Sequence, residues 1–289
     1  WLQLRLCLRL RGLRLCLRGW GTVMPIAIEL PASLTRNHIV VLTAYVMGQY
    51  LSPAERRTLF AAVDILAEAI VITPEDRRTF REVYAAEVDA RLATPYLQAL
   101  LALDDVSQSP ALAATYVRQV RAYLRQARLY DSSVPTTRLL ENYCLYRWQS
   151  FARGYAFELE ILRDLEQAGI DFRAHDVLDP IERYAESDLI VLGLRGDIKT
   201  STYFLQTQPF SSLRNDFHIT SLYIAGHRRI LVVFLKPSAW AKINGDTIPG
   251  TLDTIAALFP AAVKLQRGRV ALIVIGYEEW KERILRKQR

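Results

Sequence analysis

The chain has 289 residues, of which 51% are hydrophobic, 23% charged and 10% aromatic, so it can bury a core and is neither a low-complexity nor a disordered polymer. Its greasiest run, Ile230 to Leu235, is only strand length, which excludes an apolar membrane-spanning segment and makes a cytoplasmic setting the expectation. The formal charge of +7 is concentrated at the start: residues 1–23 carry five arginines and no acid, leaving 37 − 5 = 32 basic against 30 acidic side chains in the other 266 residues. Bulk charge therefore says little about a polyanion partner, and any such partner must be read from local patches.

Residues 4–12 (LRLCLRLRG) are nearly repeated at 13–21 (LRLCLRGWG), ahead of the first methionine, Met24. The segment reads as a non-native or disordered leader and is set aside from the fold, the alternatives being a two-faced Leu/Arg arm and a targeting peptide. With Cys7 and Cys16 inside the repeat, Cys144 is the one thiol of the body. A disulfide is excluded there, and a packed helical residue is expected. His38, His175, His218 and His227 are scattered without ligand spacing, which argues against a zinc site.

Residues 24–149 form an α-helical domain on this reading. Ser52-Pro53-Ala54-Glu55 is a capping box with proline at the first helical position, and Thr73-Pro74-Glu75-Asp76 is a variant of it. These predict helices over 53–70 and 74–92. Pro95, Pro110 and Pro135 then punctuate helices over 96–103, 110–129 and 136–168. Arg118, Arg121, Arg125 and Arg128 are spaced three, four and three, an arginine ridge suited either to a phosphate backbone or to a solvated outer face.

After Gly169 the pattern changes to short Val/Ile/Leu/Phe runs bounded by Gly, Pro and Asp. Strands are expected over 171–177, 188–194, 197–204, 230–235 and 270–276, with a helix over 251–262. That order points to a mixed sheet flanked by helices, not to a barrel. In the segment from Asp188 to Lys199, one strand opens with a carboxylate, the chain turns through Gly193 to Gly196, and a second strand carries Asp197 and Lys199 on one face. Two carboxylates on neighbouring strands can grip Mg²⁺ or Mn²⁺, and a lysine beside them can orient water or stabilise phosphate charge. On the preceding helix, Phe157, Ile161 and Leu165 form the apolar stripe, and Glu158 and Glu160 flank it so that only one of them faces the metal. Turn-capping aspartates with a solvated lysine are the plain alternative.

These residues resemble the PD-(D/E)XK nuclease superfamily, whose core runs helix, three-stranded meander, helix, strand. The helix motif G-x-x-F-E is matched by Gly154 to Glu158, the aspartate opening the second strand by Asp188, and D-x-K on the third by Asp197-Ile198-Lys199. The resemblance covers residues 150–276 and implies a restriction-endonuclease-like core within a nuclease domain of residues 150–289. It also implies metal ligation by Glu158, Asp188 and Asp197, assistance to the water by Lys199, and hydrolysis of DNA. RNA cleavage and an inactive adaptor binding nucleic acid or protein are the alternatives. Ser187 stands in place of the motif's proline, and the short spacing between the aspartates leaves Asp179 or Glu186 as substitutes for Asp188. Arg214, Arg228 and Arg229 are further candidate nucleic-acid contacts, together with Gln206, Gln208 and Asn215. The basic C-terminus reads as a solubilising tail. A second copy or a partner protein would dock on the helical domain.

Overall fold

In the computed structural model the described residues are 6–10, 13–17, 26–72, 76–202, 204–207, 213–224, 227–244 and 273–289. Strands β1 (Leu6–Leu10) and β2 (Leu13–Leu17) pair antiparallel. A second small sheet joins β3 (Ala27–Glu29) to β4 (Ile70–Ile72).

The first half is helical around this second pair. Helix α1 (Arg36–Val46) is capped by Thr35 and α2 (Pro53–Ala67) by the expected Ser52/Glu55 box, with Pro53 at its start. The next helix does not begin at residue 74. Its cap is Thr79, whose amide donates to Glu82 at 2.6 Å, and α3 (Phe80–Val83) runs through a π-helical turn (Tyr84–Asp89) into α4 (Ala90–Leu101). Residues 73–75 of the expected box lie outside the described residues, while Asp76 to Arg78 are not helical. Pro95, read as the start of a helix, sits inside α4, where burial of Leu92, Tyr96, Leu97 and Leu100 outweighs the about 3 kcal/mol that proline costs a helix interior. Helix α5 (Ser109–Gln126) ends two residues before Arg128.

Helix α6 (Pro135–Gln167) is 33 residues long and serves two cores. Leu140, Tyr143, Cys144 and Trp148 belong to the first, with Leu42, Leu59, Phe80 and Tyr96. The buried Tyr96 and Trp148 rings meet edge to face at 5.1 Å. The expected stripe Phe157, Ile161 and Leu165 joins the second core, with Ile219, Val232, Trp240 and Trp280.

That second core covers a mixed six-stranded sheet of order β10-β9-β8-β7-β6-β5. Its strands are β5 (Arg173–Ala174), β6 (Leu189–Val191), β7 (Leu194–Lys199), β8 (Phe217–Ile224), β9 (His227–Phe234) and β10 (Ile273–Gly276). All neighbours are antiparallel except β7 and β8, which are parallel and therefore need a crossover; it includes the short helix α7 (Phe204–Thr207). Helices α8 (Pro237–Asn244) and α9 (Tyr277–Gln288) complete the described residues. The basic C-terminus is thus no loose tail. Trp280 and Ile284 are buried, and Lys281 reaches Asp164 of α6 at 2.7 Å. The helix expected over 251–262 falls outside the described residues.

The connection between β6 and β7 is tighter than the sequence suggests. Val191 pairs with Leu194, so only Leu192 and Gly193 turn the chain, both with positive φ (52° and 73°), as a two-residue hairpin demands. Gly196 is not part of the turn. It lies within β7, where a Cβ would fall onto the Phe217 ring and within 2.9 Å of Leu189.

Candidate active site

The tight hairpin decides where the carboxylates go. Leu189 pairs with Gly196, and continuing that register outward by one residue sets Asp188 opposite Asp197. The Asp188 amide donates to the Gly196 carbonyl at 3.0 Å, and the Asp188 carboxylate accepts the Ile198 amide at 2.6 Å. On the other side of β6 the His175 amide donates to the Asp188 carbonyl at 3.1 Å, and on the other side of β7 Asp197 pairs with His218. His175 just after β5, Asp188 just before β6, Asp197 on β7 and His218 on β8 thus stand in a row across four neighbouring strands. Glu158 reaches the end of the row from α6, its Oε1 lying 2.6 Å from His175 Nε2.

Glu158, Asp188 and Asp197 line a cleft of about 340 Å³, walled by α6 at Ser150, Phe151, Gly154 and Tyr155 and by the loop from Arg183 to Glu186, with His175 and His218 behind its lining. That loop is clasped to the helical half. The buried Arg183 guanidinium donates to Thr94 Oγ1 and to the Val177 carbonyl, both at 2.9 Å, and the Tyr184 hydroxyl donates to Asp89 at 2.7 Å. Acids dominate the lining: Glu158, Glu186, Asp188 and Asp197 against Arg183 and Lys199.

So many acids in a buried space cannot all stay ionised. Burial, then the charges of Glu158 and Asp197, push the Asp188 pKa up to about 8. Burial acts on Asp197 in the same sense but is outweighed by the His218 ring, the Lys199 ammonium and the Asp188 carboxyl, which hold it down at about 2. Lys199 Nζ bonds Asp197 Oδ1 at 2.6 Å, with the lysine side chain partly open to the cleft. His218 Nδ1 lies 3.1 Å from Asp197 Oδ2, and neither ring nitrogen has a partner in full hydrogen-bond geometry among the described residues. Burial opposes protonation of His175, yet the bond to Glu158 and its charge prevail and raise the His175 pKa.

Glu158, Asp188, Asp197 and Lys199 therefore share one cleft. Ligand atoms of Glu158, His175 and Asp188 lie within 4.8 Å of one another, a spacing that suits one cation. Asp197 is not in that trio, because its oxygens face Lys199 and His218. Glu160 is excluded as well: it forms a two-pronged pair with Arg228 at 2.9 and 3.0 Å. Of the substitutes for Asp188, Glu186 lines the cleft rim and pairs with Arg214, while the Asp179 carboxylate accepts the Ile181 amide.

Sequence reading missed both histidines. His175 is 17 residues from Glu158 and 13 from Asp188, so no ligand spacing shows. His218 lies on β8, the strand hidden in the ambiguous stretch between β7 and β9.

No protein-family model matches the chain, and comparison with curated proteins and with solved structures finds no match either.

The arginine candidates fare unevenly. Arg118 is exposed on α5, but Arg121 pairs with Glu141 at 2.7 Å and Arg125 lies over the Tyr130 ring. Arg128 leaves the ridge altogether: the helix has ended, its φ is +58°, and its amide bonds the Arg125 carbonyl while that of Leu129 bonds Leu124. Arg214 and Arg229 are exposed, whereas Arg228 is engaged with Glu160 and the Phe157 ring. Asn215 is buried on the Glu186 carbonyl; the side chains of Gln206 and Gln208 lie outside the described residues.

Proposed function

We propose that this chain is a metal-dependent nuclease that hydrolyses phosphodiester bonds in DNA on a PD-(D/E)XK-like, restriction-endonuclease-like core. The observation that carries the reading is the meeting of Glu158, Asp188, Asp197 and Lys199 in one cleft. Support also comes from the order of elements: α6, the antiparallel meander β5-β6-β7, the short α7, and β8 returning parallel to β7.

An acid-lined cleft repels a phosphate diester unless a cation intervenes, so the electrostatics favour a dication over direct anion binding. Glu158 and Asp188 are placed to hold it, with His175 beside them and Asp197 across the hairpin. When bound, Mg²⁺ or Mn²⁺ neutralises phosphate charge and acidifies an attacking water. Asp197, ionised and paired to Lys199, fixes the ammonium at the cleft, where its donors can meet a non-bridging phosphate oxygen or orient the water. The Ile198 amide bond holds the Asp188 carboxylate in place.

The test is incubation of supercoiled, linear and single-stranded DNA and of RNA with Mg²⁺, Mn²⁺ or EDTA. Metal-dependent cleavage of DNA that Asp197→Asn abolishes is the expected result. Cleavage of RNA alone would change the substrate, and cleavage of nothing would leave the α/β half as a binding fold.

A further inference from the structure

The cation cluster contains an imidazole, and that bears on which metal it takes. His175 projects from beyond the end of β5, with its side chain 5% exposed, and its Nε2 touches Glu158 Oε1 at 2.6 Å. Its other ring nitrogen, Nδ1, is buried with no hydrogen-bond partner among the described residues. The nitrogen in contact with Glu158 is Nε2, so an ion taken up between the two side chains replaces that contact with a bond to each.

The distances suit a small dication. Oxygens and nitrogens at about 2.1 Å from one octahedral ion stand about 3 Å apart when adjacent and about 4.2 Å apart when opposite. The ligand atoms of Glu158, His175 and Asp188 fall within 4.8 Å of one another, so seating an ion asks only for small side-chain adjustments, with the Glu158–His175 contact opening slightly. Mg²⁺ prefers an all-oxygen shell and sheds water reluctantly, whereas Mn²⁺ and the later divalent ions accept imidazole nitrogen.

We propose that Glu158, His175 and Asp188 form a mixed nitrogen–oxygen site that selects Mn²⁺ over Mg²⁺ through direct ligation by His175. This rests on the metal-dependent reading above and sharpens it. It makes His175 a metal ligand that the D-x-K pattern does not contain.

The experiment titrates the full chain with Mn²⁺, following loss of the free-ion electron paramagnetic resonance signal, and then competes the bound ion with Mg²⁺. Wild type should retain Mn²⁺ against at least about a tenfold excess of Mg²⁺, following the nitrogen preference of the heavier ion. The bound ion should show ¹⁴N coupling in spin-echo modulation. His175→Gln, which replaces imidazole nitrogen by amide oxygen at similar reach, should lose the coupling and most of the discrimination. The spin-echo measurement needs no variant, so a poorly folded His175→Gln leaves the test intact. Bound Mn²⁺ without nitrogen coupling, or equal discrimination in wild type and a folded variant, would overturn His175 ligation while leaving the nuclease reading standing. A nitrogen-coupled site on a protein that cuts no nucleic acid would do the reverse.

Discussion

Asp188→Asn is the most informative single change, because it isolates the charge that the folded state resists. In the folded protein the Asp188 proton is held to about pH 8, against a usual value of 3.8. The sign follows from linkage: a carboxyl with a raised folded pKa favours the fold below its unfolded pKa and loses that contribution as pH rises through the folded value. Without metal, the wild type should therefore lose stability from this group between about pH 4 and pH 8. Asp197, held down at about 2, acts in the opposite sense, but its contribution is already present above its unfolded pKa and falls away only under stronger acid. A tenfold change in proton affinity is worth about 1.4 kcal/mol, and relaxation and sharing of the proton with Asp197 reduce the sum to about 2 kcal/mol. Asparagine mimics the protonated acid and still accepts the Ile198 amide. The variant should melt with wild type near pH 5 and about 4–8 °C above it at pH 8 in EDTA. Adding Mn²⁺ should narrow the gap by stabilising wild type at pH 8 and the variant much less, since binding displaces the proton. Melting curves at pH 5, 6.5 and 8, with EDTA and with Mn²⁺, provide the assay. Parallel pH dependence of the two proteins in EDTA would refute the idea that Asp188 is held protonated.

Other expectations follow from the same geometry. Asp197→Asn should abolish metal-dependent cleavage while the protein still folds, with a lower melting temperature at neutral pH because the ionised carboxylate's contribution is lost, and Lys199→Ala should slow cleavage ~10²–10⁴-fold while Mn²⁺ still binds, read by single-turnover kinetics beside metal titration. Arg128→Gly should stabilise by about 1 kcal/mol, because the left-handed φ of +58° strains any side chain but costs glycine nothing; denaturant unfolding that shows no gain would remove the strain. Gly196→Ala should destabilise by about 1–3 kcal/mol, since the added methyl collides with the Phe217 ring and Leu189; an unchanged unfolding midpoint would count against the packing of β7 on β8.

Much of this is written locally in the chain. The Ser52 box, the long α6 and its stripe Phe157, Ile161 and Leu165 announce themselves through spacings of three and four, and D-I-K advertises itself by alternation on one strand. What is hidden depends on contacts distant in sequence. Nothing near His175 says that it will stand beside Asp188, because a two-residue β5 makes the neighbour, and nothing near His218 says that a parallel β8 will bring it to Asp197. The turn is hard to place because Gly196 looks like a turn residue, while its actual constraint is the Phe217 ring, 21 residues on. The start of α3 is ambiguous because Thr73-Pro74-Glu75-Asp76 and Thr79 to Glu82 compete as caps. The second, which ends in Glu82, wins by satisfying the Thr79 amide.

The boundary expected at residue 149 falls inside α6, and the cleft draws a wall from each side of it. Glu158 is fixed by a helix whose earlier turns are packed in the first core, and the loop from Arg183 to Glu186 is fastened to Thr94 and Asp89 of the helical half. The helical region is therefore part of the site's scaffold. Arg183→Met tests this, as it keeps the length of the buried stem while removing the guanidinium bonds to Thr94 Oγ1, the Val177 carbonyl and the Leu178 carbonyl. Losing these buried bonds should cost about 2–4 kcal/mol and leave the carbonyls seeking water, which loosens the segment from Asp176 to Glu186. The expected readouts are faster amide exchange in that segment and weaker Mn²⁺ binding, with exchange in β8 and β9 unchanged. Should the fragment 150–289, expressed alone, protect the same amides and bind Mn²⁺ as tightly as the full chain, the two halves would be independent and the clasp incidental.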